Sequence, residues 1–182
     1  ECNNTSTTTA TFTIEDTTPP TVLTQAQDVT LECDGIGNTT AVQAWLNNNG
    51  GATASDICGN FVWENDYNSL SDDCGATGTS TVTFTVTDEC DNTSITTATI
   101  TVVDTTDPLI ELEASDLVVE CNGSGNEAEL NAWLDNNGGA VATDICSGVV
   151  WTYSPNPAIL SEDCGETGNV TVIFTATDDC GN

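Results

Sequence analysis

Asp56 and Asp88 each stand two residues ahead of a cysteine, Cys58 and Cys90, and the spacing returns at Asp144–Cys146 and Asp178–Cys180. Carboxylates and thiols are the groups in this chain able to do chemistry. Its 182 residues hold 29 Asp plus Glu, nine Cys, and no Lys, Arg or His. No carboxylate can meet a protein cation, so each charge must be met by water, backbone N–H groups or metal ions. Hard divalent cations such as calcium take six to eight oxygen ligands in flexible geometry, which clustered Asp and Glu can supply. Nine cysteines without a CxxC pair point to disulfides and an oxidising, extracellular setting rather than a thiolate metal site. Nucleic-acid binding needs a basic footprint, and none is possible. An anionic membrane surface repels such a chain. Catalysis is not expected, since His and Lys bases and an anion-holding Arg are all missing. A carboxylate pair could cleave a glycoside, but nothing sets one acid apart from the others.

These residues recur with a period. Cys33 matches Cys121 and Cys58 matches Cys146 at an offset of 88, while Cys74 matches Cys164 and Cys90 matches Cys180 at 90, two residues having been gained after Trp151. The opening ECNNTSTTTATFTIEDTTPPT returns from Glu89 with 14 of 21 positions identical. Periods of this size mean tandem arrays, and about 90 residues suffice for a small domain. The expected organisation is 1–16 as the final strand of a preceding repeat or a donor strand, 17–104 as a complete repeat, and 105–182 as a repeat lacking its last strand. Residues 5–15 then correspond to the strand absent after Asn182, either because the chain is an excerpt of a longer array or because one protomer completes the sheet of its neighbour by strand addition.

The elements that position the acids and cysteines are mostly strands. Val82, Phe84 and Val86 alternate with threonines, as do Ala98, Ile100 and Val102, which is the pattern of half-buried antiparallel strands. Asp91-Asn92 between them suits a tight hairpin turn. Val29–Cys33 and Phe61–Glu64 read as two further strands. The segment Ala41–Leu46, repeated as Ala128–Leu134, favours helix, with Thr39 or Thr40 as its cap, a glycine at its end, and Trp45 and Leu46 covering one end of a sandwich. The expected fold is all-β: tandem immunoglobulin-like β-sandwiches, each with a short helical insertion and two disulfides.

The segments ATASDICG, TVTFTVTDECDNTS and ATITVVDTTDP resemble the hyalin-repeat-type, immunoglobulin-like modules of bacterial surface proteins. They are especially similar to the cysteine-rich versions with a helical insertion in large secreted adhesins of Bacteroidota. The resemblance spans the whole chain and implies tandem modules in a long exported fibre. Asp16-Thr17-Thr18 and Asp104-Thr105-Thr106 resemble the O-glycosylation motif of the same bacteria, which would place sugars on Thr17 and Thr105. Asn3, Asn4, Asn38, Asn92, Asn122 and Asn169 also fit the N-x-[ST] pattern.

If the strands alternate between two ends of a sandwich, Cys33 and Cys74 lie at the lower end and Cys58 and Cys90 at the upper. Of the three connectivities open to each repeat, proximity favours Cys33–Cys74 with Cys58–Cys90, and Cys121–Cys164 with Cys146–Cys180. The upper end also gathers acids: Asp56, Asp88, Glu89 and Asp91 with Glu15 and Asp16 of the incoming linker, and Asp144, Asp178 and Asp179 with Asp104 and Asp107. The expectation is a calcium ion at each junction, against the alternative of solvated turn residues. The function expected is a calcium- and disulfide-stiffened structural segment of an extracellular fibre or adhesin stalk. Its partners would be further copies of itself or flanking repeats. A calcium-dependent module that binds surface glycans is the rival reading.

Overall fold

A computed structural model describes residues 2–165 and 167–182. The chain is mostly β-sheet with few helices and is crosslinked by two disulfides. In the first repeat the elements are β1 (Thr21–Thr24), β2 (Val29–Glu32), α1 (Thr39–Asn47), β3 (Thr53–Ser55), β4 (Phe61–Asn65), β5 (Gly78–Asp88) and β6 (Thr93–Val103). In the second they are β7 (Leu109–Leu112), α2 (Glu127–Asp135), β8 (Val141–Thr143), β9 (Val149–Ser154) and β10 (Ile173–Asp178). Among the described residues no helix is long and apolar enough to cross a membrane.

The first repeat is built on a four-stranded sheet in the order β2-β6-β5-β4. β5 and β6 form the hairpin expected from the alternating Thr pattern, paired from Gly78↔Val102 to Thr87↔Thr93. Its turn places Asp91 at φ 66, the left-handed region that Asp tolerates better than most residues. β2 lies parallel to β6, Val29 opposite Ile100. The inward residues Val82, Phe84, Val86 and Ile100 are fully buried. Burial of each such side chain contributes about 1.5–3 kcal/mol. α1 closes this core with Val42 and Leu46. Trp45 packs edge-on against Phe84 at 5.3 Å, and its Nε1 donates to the Gln27 carbonyl at 3.1 Å. A separate two-stranded pair, β1 with β3, completes the repeat.

The helix is capped differently from expectation. Thr39 and Thr40 lie within its first turn, and Asn38 is the N-cap at φ 52. Asn38 makes no side-chain cap. Its amide donates to the Glu32 carbonyl at 2.8 Å and its Oδ1 accepts from Asp34 N at 3.1 Å, so it ties β2 to the helix start. At the other end Asn48 is the C-cap, followed by Gly50 at φ 63. A side chain at Gly50 would press into Ala26 and Phe84.

The second repeat reproduces the β7–β8 pair with the same bulge, and the Trp133–Phe174 contact at 5.3 Å. Its main sheet is reduced to β9 and β10. Residues 117–120, in the register of β2, form no strand. Phe174 is half-buried where Phe84 is fully buried.

Candidate functional site at the junction of the repeats

The linker after β6 runs Asp104-Thr105-Thr106 into the second repeat, and the sequence chemistry converges there. Asp104 enters between the loop after β8, which carries Asp144, and the end of β10, which carries Asp178. A carboxylate oxygen of Asp104 lies within 4.8 Å of one of Asp144, and likewise of Asp178. Asp178 and Asp144 are set by their own turns. Asp178 Oδ1 accepts from the backbone N of Cys180, Gly181 and Asn182, and its Oδ2 from the Asn182 amide. Asp144 Oδ1 accepts from Cys146 N and Ser147 N. The Asn182 amide also donates to the Asp104 carbonyl at 3.1 Å, which fastens the turn to the linker.

Asp104 differs from its neighbours. It is only 8% exposed. Its Oδ1 accepts from Thr106 N at 3.2 Å, but its buried Oδ2 has no hydrogen-bond partner among the described residues. Burial, with repulsion from Asp144, Asp178 and Glu32, raises its carboxyl above the ordinary range despite the Thr106 bond. Asp178 goes the other way. Burial pushes it up, but the bonds from Asn182, Gly181 and Cys180 outweigh this and hold it low. A buried carboxylate oxygen without a donor is costly unless protonated or metal-bound.

The upper end of the first repeat carries the matching trio. Asp16, Asp56 and Asp88 place carboxylate oxygens within 4.8 Å of one another. The Asn92 amide reaches the Asp16 carbonyl at 3.3 Å, as Asn182 reaches Asp104. Asp16, Asp56 and Asp88 offer oxygen alone, the type calcium takes, whereas the groups around Asp104 pair it with Asp144 and Cys146 and with Asp178 and Cys180, whose sulfurs are held in disulfides. The other expected ligands stand apart. Glu15, Asp91, Asp107 and Asp179 are exposed, and Glu89 and Asp179 are engaged by the Asn60 amide and Gly148 N.

The disulfides follow a different rule from the one expected. Cys33 bonds Cys146 and Cys74 bonds Cys180, with Cα atoms 6.0 and 5.2 Å apart. Cys33 and Cys74 lie at the lower end of the first repeat, but each bonds an upper-end cysteine of the second. Cys33–Cys74 and Cys146–Cys180 are therefore corrected. Cys58, Cys90 and Cys164 are exposed and form no disulfide, so Cys58 does not join Cys90, nor Cys164 Cys121. The reason is packing across the junction: Cys33, Cys146 and Val102 share one small core with Leu31, Leu70 and Ala76. Two glycines make that approach possible. A Cβ on Gly75 would sit 2.6 Å from the Cys146 carbonyl oxygen, and one on Gly35 would strike the Ile145 carbonyl. Ala76 N donates to that Cys146 carbonyl at 2.9 Å. The signal was in the sequence: in an array, a lower cysteine has a partner in the next repeat as near as one in its own.

Glu32 completes the junction. It accepts from Thr105 N at 2.7 Å and from the hydroxyls of Thr105 and Thr106 at 3.1 and 3.0 Å. Sequence reasoning did not single it out. The acids around the upper cysteines also act on their thiols. Desolvation, then Asp16 and its neighbours, pushes Cys58 and Cys90 above the usual thiol range. Thr17 and Thr105, the expected glycan acceptors, are both exposed.

No protein-family model matches this chain, and no curated protein sequence matches it.

Proposed function

We propose that this chain is a structural segment of an extracellular bacterial surface fibre or adhesin stalk, built from tandem immunoglobulin-like modules of the hyalin-repeat type. Calcium at each junction and disulfides across it make the segment a stiff rod. The observation that carries this reading is the pair of disulfides, Cys33–Cys146 and Cys74–Cys180, both joining one repeat to the next. Here both crosslinks hold neighbouring repeats in a fixed relation, as a load-carrying filament requires. Calcium is supported by the buried, unpartnered oxygen of Asp104 facing Asp144 and Asp178. Residues Asp104, Asp144 and Asp178 would hold it at this junction, and Asp16, Asp56 and Asp88 at the one above. The tryptophans do not favour the glycan-binding alternative, since Trp45 and Trp133 are packed on Phe84 and Phe174.

The test is a measurement of shape and stability with and without chelator. Calcium at a hundredfold above its dissociation constant stabilises by about 2.7 kcal/mol. Chelation should therefore lower the melting temperature, and it should shorten the apparent persistence length of multi-repeat chains seen by force microscopy. No change in either removes calcium from the reading. Junction disulfides absent from a non-reducing peptide map remove the rod.

A further inference from the structure

Around Asp104 the junction sets carboxylates beside sulfur. One oxygen of Asp104, one of Asp144 and the Cys146 Sγ all lie within 4.8 Å of one another. The Cys33 Sγ is bonded to that of Cys146, so it stands at the same place. Two sulfurs and two carboxylate oxygens therefore meet here, and they come from three segments. Cys33 follows β2 of the first repeat, Asp104 follows β6 in the linker, and Asp144 and Cys146 lie in the loop after β8.

An acidic cluster alone needs no ion, because water can meet its charge. Asp104 is the sign that points to a ligand. It is nine-tenths buried, and its Oδ2 has no hydrogen-bond partner among the described residues. The bonds to Asp144, from Cys146 N, Ser147 N and the Ser147 hydroxyl, all fall on its Oδ1, which leaves Oδ2 for an ion. Asp178, beside Cys180, is not open in this way, since both its oxygens already accept. Cys33 and Cys146 are themselves more than nine-tenths buried, in the small apolar core with Val102. Gly35 N donates to the Cys33 Sγ at 3.4 Å, and such a bond strengthens when its acceptor is charged.

The redox state decides what these atoms can hold. In the closed chain the two sulfurs are spent on each other, and the oxygens that remain suit a hard cation. In the reduced chain two thiolates join the carboxylates. Thiolate is the soft ligand that selects zinc, and structural zinc takes four ligands in a tetrahedron at ~2.0–2.3 Å. The set carries four negative charges, as the four-cysteine set of many structural zinc sites does.

We propose that the reduced junction binds zinc through Cys33, Cys146, Asp104 and Asp144, so that the metal takes over the crosslink when the disulfide opens. The inference rests on the Cys33–Cys146 pairing that carries the fibre reading, and it adds a second metal state to the junction. Opening uses a dithiol reductant. One of its thiolates attacks a sulfur of the bridge and forms a mixed disulfide. Its second thiolate closes a cyclic disulfide and frees the remaining cysteine. Two electrons and the two thiol protons of the reductant end on Cys33 and Cys146. Zinc then displaces those two protons to solvent as it binds. Because its ligands come from both repeats, the ion holds the repeats together as the bridge did.

The experiment caps the thiols outside the two bridges with iodoacetamide on the oxidised chain. Dithiothreitol then frees the four bridge cysteines, and cobalt(II) followed by zinc is titrated in without air. The expected result is the thiolate-to-cobalt charge-transfer absorption of a tetrahedral site, bleached by zinc. Cys33→Ser with Cys146→Ser should abolish it, and Cys74→Ser with Cys180→Ser should keep it. Asp104→Asn, which keeps all four thiols, should weaken zinc about tenfold or more, since even partners outside the ligand set cost that much. Competition with a chromophoric chelator reads the change. A reduced parent without the absorption, an absorption that follows Cys74 and Cys180 instead, or an Asp104→Asn variant with unchanged zinc affinity overturns the proposal. A peptide map of the oxidised chain that shows Cys33–Cys146 and Cys74–Cys180 leaves the fibre reading standing whichever way the titration falls.

Discussion

Asp104 is the residue on which the junction turns. Its neighbours Asp144 and Asp178 are held by backbone N–H groups, whereas one of its own oxygens is buried without a donor. Asp104→Asn removes a buried charge that repels two others. Without divalent ions the variant should melt no lower than the parent, because the raised carboxyl pKa of Asp104 marks its ionised form as unfavourable in the folded chain. With calcium the order should reverse, the variant losing most of the increment that the ion gives the parent. Calorimetric scans of both proteins, with chelator and with calcium, read this directly. An equal calcium increment in the two would exclude Asp104 as a ligand.

At the scale of elements, the end of β2 holds the linker through one exposed side chain. Hydrogen bonding by Thr105 N is the chief reason that the Glu32 carboxyl lies below its usual range, with the Thr106 and Thr105 hydroxyls adding to it and desolvation opposing. The folded-state pKa is below the unfolded one, so the contribution is present above the unfolded pKa and is lost as pH falls through the folded value. Glu32→Gln should therefore melt lower than the parent near neutral pH and match it in acid. Amide exchange at Thr105 should be faster in the variant at neutral pH only. A gap that persists unchanged into acid would mean that packing, not the carboxylate, holds the linker. The same bonds bear on glycosylation, because a sugar on Thr105 would replace the hydroxyl hydrogen that Glu32 accepts.

For the whole molecule, the question is how far the two repeats behave as one. The first has a closed core around Phe84, and the second has a two-stranded main sheet and a half-exposed Phe174. Each bridge between them closes more than a hundred residues, 113 for Cys33–Cys146 and 106 for Cys74–Cys180. A native disulfide typically contributes ~2–4 kcal/mol. Cys33→Ser with Cys74→Ser should therefore release the second repeat to melt on its own, at lower temperature, while the first keeps most of its stability. Calorimetry would show two separated transitions, and a single unchanged transition would mean that the bridges do not couple the repeats.

Much of this was legible in the sequence. Strict Thr/apolar alternation marked β5 and β6 because one buried face leaves a period-two trace. Strand alternation put Cys33 and Cys74 at one end of the first repeat and Cys58 and Cys90 at the other, and the Asp-x-Cys spacing with the incoming linker picked out Asp16, Asp56 and Asp88. Local signals fell short where tertiary contact decides. Asn38 replaced Thr39 as the helix cap because its amide is taken up by β2. Glu89 and Asp179, beside gathered acids, are engaged by the Asn60 amide and Gly148 N. Above all, the sequence fixes that lower and upper cysteines exist in equal register, but connectivity depends on which Cα atoms come within bonding distance. That is set by how closely one repeat can seat on the next over Gly35 and Gly75. Composition alone determined that no carboxylate could meet a protein cation. Only the tertiary structure decided which one is buried with an oxygen left without a donor, because burial depends on the covering repeat and not on the residue.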